Sequence, residues 1–581
     1  MDDHEIERDD HEVVEDDQEV VEAARRWIAG DPDPETRAEL EDIVERGDRA
    51  ALRERMGATL QFGTAGIRGA VGAGSNRMNR ATVIRTTAGL AAHLAAAGPV
   101  AGPVVVGFDG RTDSRRFADD TIGVLVAAGI AVRYFADVAP TPLVAYAAKR
   151  LGAAAAVVVT ASHNPPQDNG YKVYDANAAQ IVPPTDASIA AAIDRAPAAD
   201  EILREEGVLD GGHPLASPIG EEVRERYLAE VTAVIPPEAP SRRLRIVYTP
   251  LHGVGWDTMR RAFAAAGFGD VHPVPAQAEP DGRFPTVAFP NPEEPGALDL
   301  AIALAEEVDA GVVLANDPDA DRLAVCLPCR GGWRALTGNQ IGQVLGDYLL
   351  EHDAGSGTPL VVSSIVSSPM LGSIAAARGA RFEQTLTGFK WIANAALDLA
   401  EEGFRFVFGY EEALGYTVGP VVRDKDGIGA AVVFADMMTR GETVWGRLER
   451  LYRDHGLWVS VQHSVVRPGT QGAGEIAAAM DLLRHRAPDV LAAHPVLGVT
   501  DFRDGAEGRP RWLPDQALVA FDLGDAGRAL VRPSGTEPKL KIYVDRRVSL
   551  GGGDDVAAAE AHGLEDARAV AAGLAAFLGF T

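Results

Sequence analysis

The sequence predicts an α/β protein of three similar domains followed by a smaller α+β domain. Three observations carry that reading. Apolar, β-branched runs alternate with helical patterns in three successive stretches, as buried parallel sheets with covering helices require. Each stretch places its most polar loop at the carboxyl end of a strand, where open α/β sheets bind ligands. The chain of 581 residues also exceeds what one hydrophobic core fills, so about three to four domains are expected.

The elements follow in order. Met1 to Glu22 holds 12 Asp or Glu against one Arg, and a block of like charge reads as a disordered or frayed helical lead-in. From about Val20 to Met56 the pattern is helical, interrupted at Asp31-Pro32-Asp33-Pro34. The first repetition runs from Val104-Val105-Val106 through a helical stretch at Thr112 to Ala128, then to the apolar run Ala155 to Val159 and the polar loop Thr160 to Gly170. The second has Ile246-Val247-Tyr248, a helix from Asp257 to Ala266, and Gly311 to Leu314 ending at Asn316-Asp317-Pro318-Asp319-Ala320-Asp321-Arg322. The third has Leu360-Val361-Val362, a helix from Met370 to Ala377, and Phe404 to Phe408 ending at Gly409-Tyr410-Glu411-Glu412. Only the pattern recurs; the residues differ. From about Val459 the plan changes to a helix near Gly474 to Leu483, strands at Ala517 to Leu523, Ala529 to Val531 and Leu540 to Val544, and an Ala-rich terminal helix from Val556. Linkers are expected near Pro236 to Ser241, Gly355 to Pro359 and Leu457 to Val459. The division is an acidic helical extension over 1–59 and domains over 60–238, 239–354, 355–458 and 459–581.

Composition narrows the function classes. The net charge of −29 leaves no excess of Lys and Arg to replace counterions, which argues against a nucleic-acid or anionic-membrane binder. A few local cations can still hold a phosphate in a cleft. No apolar run reaches the ~18 residues of a membrane span. The acidic start lacks the basic and apolar segments of a signal peptide, and two Cys make no disulfide framework. A cytoplasmic protein is expected.

Five loops carry candidate chemistry. In Thr160-Ala161-Ser162-His163-Asn164-Pro165-Pro166 a Ser stands rigidly after a buried strand, where it can act as nucleophile or phosphoryl carrier, with His163 to orient or protonate. The alternative is a Ser that caps a turn. Asp317, Asp319 and Asp321 can converge on one hard cation, and few ligands with open positions favour Mg²⁺ beside a phosphate oxygen; a solvated acidic turn is the alternative, strained by mutual repulsion. Glu411 and Glu412 can grip sugar hydroxyls or sit in the first turn of a helix. In Arg532-Pro533-Ser534-Gly535-Thr536-Glu537-Pro538-Lys539, a guanidinium, two hydroxyls, a Gly-freed backbone and Lys539 supply donors for a phosphate dianion, or form an ordinary turn. Phe62-Gly63-Thr64-Ala65-Gly66-Ile67-Arg68-Gly69 suits a flexible loop that brings Thr64 and the fixed charge of Arg68 to a site, and Lys390 in Thr387-Gly388-Phe389-Lys390-Trp391 offers another cation. The Cys326-Leu327-Pro328-Cys329 motif, with no further Cys, reads as a hairpin rather than a zinc site. His213 and His252 lack metal-ligand spacing.

Taken jointly and in this order, these loops resemble the α-D-phosphohexomutase superfamily over roughly Phe62 to Val544. The runs T-A-S-H-N-P-P-Q-D-N-G-Y-K-V-Y and T-L-T-G-F-K-W are similar to its longer phosphoglucomutase-2/phosphopentomutase branch. The resemblance implies three domains with mixed sheets and a smaller fourth around a central cleft. It implies a phosphoserine at Ser162, and Mg²⁺ held by Asp317, Asp319, Asp321 and the phosphoseryl oxygen. Glu411 would contact sugar hydroxyls, and Arg532, Ser534, Gly535 and Thr536 the non-reacting phosphate. Arg68, Lys172 and Lys390 would line the reacting end, with Lys172 or His163 as acid or base. The implied reaction interconverts sugar 1-phosphate and 6-phosphate, glucose phosphate first, with catalytic glucose 1,6-bisphosphate as activator. Phosphopentomutase and phosphomannomutase activities are the alternatives, and a Ser-dependent phosphatase stands behind them. Many superfamily members carry Ser where this chain has Ala413, which leaves hexose against pentose open. The implied partners are small sugar phosphates alone, for a monomer or homodimer.

Overall fold

A computed structural model describes residues 7–64, 66–96, 98–237, 241–467, 469–534 and 539–580. The chain forms two compact units.

The first unit takes residues up to 235, 242–335 and 421–432. It opens on the helices Glu7–Gly30, Pro34–Arg46 and Arg49–Met56. The break between the first two falls at the Asp-Pro repeat. Asp33 caps the second helix by accepting from the Glu35 N–H, with Pro34 in the first turn, where its missing N–H costs nothing. The acidic lead-in is therefore helical from Glu7. Its downstream Val20, Val21, Trp27 and Ile28 pack against Leu40, Ile43 and Leu52, and this apolar stripe holds the helix despite its charge.

The first sheet has six strands in the order Ile67–Ala70, Asp168–Tyr174, Ala155–Val159, Val104–Phe108, Val132–Tyr134 and Ala216–Pro218. Its first two pairings are antiparallel and the rest parallel. Within the segment 62–69, expected as a flexible loop, Gly63 and Gly66 instead pair with each other, and an edge strand from Ile67 carries Arg68. Gly66 has φ +76, and a Cβ there would stand 1.9 Å from the Tyr171 carbonyl oxygen, so this glycine serves close backbone approach rather than mobility.

The second sheet has the order Gly332–Ala335, Ala324–Cys329, Val312–Ala315, Ile246–Thr249 and Val271–Pro273. Its Ala324–Cys329 and Gly332–Ala335 strands form the hairpin expected of the Cys pair, with Cys326 buried and Cys329 exposed as free thiols. His252 is buried and bonded to Thr286, and His213 accepts from the Leu215 N–H; both serve local structure.

The second unit takes 336–420 and 433–580, with 236–241. The third sheet runs Arg381–Thr385, Thr358–Ser364, Phe404–Glu411 and Gly415–Val418, parallel except for the last pair. The helix Gly338–Glu351 begins at a capping box between Thr337 and Gln340 and packs on this sheet. A Cβ on its Gly342 would stand 2.5 Å from the Tyr410 ring of this sheet, and one on Gly346 would stand 2.6 Å from Leu371 Cδ1. The Gly355–Pro359 stretch is thus a connection inside this unit, and the chain turns from the second sheet to the third near Leu336 instead. The fourth sheet is antiparallel throughout, in the order Leu457–Val466, Lys539–Val548, Gly527–Pro533, Val519–Asp522 and Gly498–Asp501. The helices Gly469–His485 and Val556–Phe577 cover it. Among the described residues, no helix is long and apolar enough to cross a membrane.

Candidate active site

Ser162 stands three residues beyond the fully buried strand Ala155–Val159. Its backbone is left-handed, with φ +53, a conformation that L side chains avoid and that clusters at functional sites. Its N–H donates to Thr160 Oγ1 at 2.8 Å. Gly170 lets the neighbouring strand approach, since a Cβ there would stand 2.6 Å from the Thr160 carbonyl. These constraints aim Ser162 Oγ at Asp317, to whose Oδ2 it donates at 2.7 Å. His163 Nδ1 lies 3.1 Å from the same Oγ. Burial, with the charges of Arg322 and Arg68, holds the His163 imidazole well below its ordinary value, so it is neutral at pH 7.

The strand Val312–Ala315 delivers the three Asp to this serine. Asp317, Asp319 and Asp321 are all fully buried, and their carboxylate oxygens lie within 4.8 Å of one another. Ala320 takes φ +59 between them. Two ammonium groups meet the cluster. Lys172, on the strand Asp168–Tyr174, donates to Asp319 Oδ2 at 2.7 Å and Asp321 Oδ2 at 3.0 Å. Lys425 donates to Asp321 Oδ2. Burial depresses the Lys172 ammonium, but Asp319 and Asp321 outweigh it and hold the group above its usual value. Burial and the like charges of Asp319 and Asp321 push the Asp317 carboxyl up. Burial opposes ionisation of Asp319 too, but Lys172 and Lys425 prevail and keep it ionised.

A cation fits this cluster on one observation. Asp319 Oδ1 and Asp321 Oδ1 are buried without a hydrogen-bond partner among the described residues, a costly condition that an oxygen-seeking divalent ion relieves. Lys172, expected at the reacting end, lies directly against these carboxylates. Arg68 Nη1 donates to Asn164 Oδ1 at 2.9 Å on the Ser162 loop, and Thr64 sits in the preceding turn.

Lys425 was not foreseen. It lies in Arg423-Asp424-Lys425-Asp426-Gly427, and its one signal was a Lys flanked by two Asp. Asp424 accepts from Tyr174 at 2.6 Å, and Asp426 accepts from Tyr227 at 2.8 Å; these two bonds seat the segment in the first unit.

In the second unit, Glu411 ends the strand Phe404–Glu411 and its Oε1 accepts from the Gly388 N–H at 2.6 Å. Gly388 has φ +119 and precedes Lys390, in the first turn of the helix Phe389–Glu401. Lys390 Nζ stands 5.8 Å from the Trp391 ring centroid. Glu412 Oε2 accepts from Ser364 and Ser367, each at 3.1 Å, so this carboxylate is engaged by protein hydroxyls. Arg532 Nη2 donates to the Tyr543 hydroxyl at 3.1 Å, and its guanidinium lies 5.7 Å from that ring. The Ser534 N–H donates to the Lys539 carbonyl at 2.8 Å. Ser534 and Lys539 line a cavity of about 350 Å³ with Arg503 and Met480. Gly535 and Thr536 lie outside the described residues.

The sequence matches four domain families: Phosphoglucomutase/phosphomannomutase, alpha/beta/alpha domain I over residues 59–200, alpha/beta/alpha domain II over 225–331, alpha/beta/alpha domain III over 337–455, and the C-terminal domain over 483–563. It is 35% identical over 568 residues to a phosphopentomutase of Mus musculus, covering 91% of this chain and 90% of that one. It is 34% identical over 560 residues to a glucose 1,6-bisphosphate synthase of Homo sapiens, covering 90% and 89%. Its fold is similar to the crystal structure of a phosphoglucomutase/phosphomannomutase family protein from Burkholderia thailandensis, with TM-score 0.65 at 19% identity over 88% of this chain and 96% of that one.

Proposed function

This chain belongs to the phosphoglucomutase/phosphomannomutase family and is a phosphosugar mutase, and from that premise we propose that Ser162 carries the phosphoryl group it transfers. The observation behind this reading is the Ser162 Oγ–Asp317 Oδ2 bond of 2.7 Å, which joins a strained serine to a buried carboxylate triad. A hydroxyl of a sugar monophosphate attacks the phosphorus of phosphoSer162. The Oγ–P bond breaks as the new O–P bond forms, and the proton of the sugar hydroxyl passes, in net terms, to Ser162 Oγ. Neutral His163, 3.1 Å from Oγ, can hold or deliver that proton. The resulting sugar bisphosphate, glucose 1,6-bisphosphate for a glucose substrate, then returns its other phosphoryl group to Ser162. Such a bisphosphate also primes the unphosphorylated enzyme.

Asp317, Asp319 and Asp321 would hold Mg²⁺, which when bound neutralises charge on the transferring phosphoryl group. Arg68, Lys172 and Lys425 add positive charge at the same end. Glu411 and Lys390 would read the sugar. Arg532, Ser534, Gly535, Thr536 and Lys539 would hold the phosphate that is not reacting, with Thr64 beside the reacting end.

For the sugar itself, a pentose 1-phosphate/5-phosphate pair is better supported than the glucose phosphate expected from the loops alone. Glu412 is engaged by two serines and Ala413 offers no hydroxyl, so fewer groups remain for sugar hydroxyls. A relative spanning nearly the whole chain is a phosphopentomutase. Glucose phosphate is the second reading, favoured by the glucose bisphosphate in another relative's name.

One assay set tests both levels. Rates on ribose 1-phosphate, glucose 1-phosphate and mannose 1-phosphate are measured with and without catalytic bisphosphate, beside peptide mapping for phosphoSer162. Bisphosphate-dependent isomerisation with label on Ser162 is the expected outcome. Release of inorganic phosphate as main product, without a bisphosphate requirement, sinks the mutase mechanism in favour of a hydrolase.

A further inference from the structure

Beneath the Ser162 loop lies a buried arginine that the reaction above does not use. Arg111 follows the strand Val104–Phe108 and is 4% exposed. Its Nη1 donates to the carbonyl oxygens of Pro165 at 2.7 Å and Asp168 at 3.0 Å. Its Nη2 donates to those of Ser162 at 2.7 Å and Asn164 at 2.5 Å. One guanidinium thus gathers four carbonyls from a single loop. A planar fork with five donors can do this; an ammonium, with three donors on one atom, cannot reach the same set. Asp109 fixes the fork from behind. Its Oδ2 lies 3.5 Å from Arg111 Nε, and its Oδ1 accepts from the Arg111 backbone N–H at 3.0 Å.

The other face of Arg111 meets the second domain. The Phe284 ring centroid is 4.9 Å from the guanidinium carbon. Phe284 itself is left-handed, with φ +48. Two residues earlier, a Cβ on Gly282 would stand 2.8 Å from Arg111 Cα and 2.7 Å from Thr112 N, so only glycine lets the segments touch. The same segment is tied toward the Asp loop. The Asp281 N–H donates to the His252 carbonyl at 3.0 Å, His252 Nε2 lies 2.8 Å from Thr286 Oγ1, and the Val254 N–H donates to the Pro318 carbonyl at 2.8 Å.

We propose that Arg111 is a positioning residue for phosphoryl transfer: its guanidinium locks the 162–168 loop to the 281–286 segment, and so holds Ser162 Oγ in register with the Asp317 carboxylate. The inference rests on the reading of Ser162 as phosphoryl carrier. It assigns Arg111 no contact with substrate.

The test uses the full-length Arg111→Lys and Arg111→Met variants. Misplacement by about 1 Å costs up to roughly 100-fold in rate. Single-turnover transfer from the phosphorylated enzyme should therefore fall about 10- to 100-fold in both variants, less in Arg111→Lys, with KM within about threefold of wild type. Hydrogen exchange should rise at 162–168 while the strand Ala155–Val159 keeps its protection. If Arg111→Met does not fold, Arg111→Lys carries the test alone. Three results overturn the proposal: an unchanged transfer rate per folded molecule despite a lowered melting temperature, a raised KM with unchanged kcat, or unchanged exchange at 162–168. Failure of the underlying reading shows separately, as wild-type protein that never labels on Ser162; the exchange comparison then still decides whether Arg111 locks the loop.

Discussion

Ser162 and Lys425 show what one residue can and cannot reveal about itself. The serine was legible because its evidence is local: a buried strand, a Ser, and prolines that stiffen the turn. The three Asp were legible for the same reason, since five residues hold all of them. Lys425 was not, because its partner Asp321 lies 104 residues away and a Lys between two Asp points to no chemistry by itself. Ser162→Ala should abolish turnover while leaving the melt nearly unchanged, since one hydroxyl hydrogen bond contributes only about 1 kcal/mol. Near wild-type mutase rates in that variant would defeat the phosphoserine reading. Lys425→Met removes one of two ammoniums from three buried carboxylates. Breaking a buried pair costs roughly 3–5 kcal/mol, so the metal-free protein should melt lower. Added Mg²⁺ should then raise the melting temperature more than it does in wild type, because the ion and the lysine neutralise the same Asp321. Equal Mg²⁺ shifts in the two proteins would count against the Asp cluster as the metal site.

Elements were easier to foresee than the way they press on one another. The helix Met370–Ala377 and the strand Ala155–Val159 stand where apolar periodicity put them. The edge strand Ile67–Ala70 is masked in the sequence by glycines at 63, 66 and 69, because its pairing with Asp168–Tyr174 is set by register, not propensity. The Gly355–Pro359 stretch read as a linker because turn residues mark any chain reversal, inside a domain or between two. Close approach also explains the start of the helix Gly427–Met438. A Cβ on Gly427 would stand 2.2 Å from the Arg322 carbonyl and 2.6 Å from Asn316 Nδ2. The helix end therefore rests on the loop that presents the three Asp. Gly427→Ala should destabilise the protein by about 1–3 kcal/mol through overpacking and weaken Mg²⁺ binding by displacing that loop. A variant with wild-type stability and unaltered Mg²⁺ affinity would show that the contact yields without consequence.

Across the whole molecule, the chain does not keep its domains in sequence. Residues 421–432 follow the third sheet yet belong to the first unit, and no local pattern announces this, because what binds them is a set of long-range buried bonds. Asp426 is the plainest of these. It is 1% exposed, and its Oδ1 accepts from the Tyr227 hydroxyl at 2.8 Å and from the Ile428 and Gly429 N–H groups at 3.1 and 2.8 Å. Its Oδ2 is buried without a hydrogen-bond partner among the described residues. Burial pushes this carboxyl up to about 6 from 3.8, against the pull of those three donors. A folded-state value above the unfolded one favours the protonated form in the native protein. The stabilisation it gives is therefore complete below the unfolded value near pH 4 and is lost as pH rises through about 6. Asp426→Asn keeps an oxygen for all three donors and removes the titration. Relative to this variant, wild type should lose up to about 3 kcal/mol between pH 4 and pH 6, since each tenfold difference in proton affinity between folded and unfolded chain is worth about 1.4 kcal/mol, and no more above pH 7. Paired urea denaturation at half-unit pH steps reads the difference directly. A stability gap that stays constant from pH 4 to pH 7 would mean that the Asp426 carboxylate ionises as easily in the folded chain as in the unfolded one, and that the 421–432 segment is seated without the cost of a buried charge.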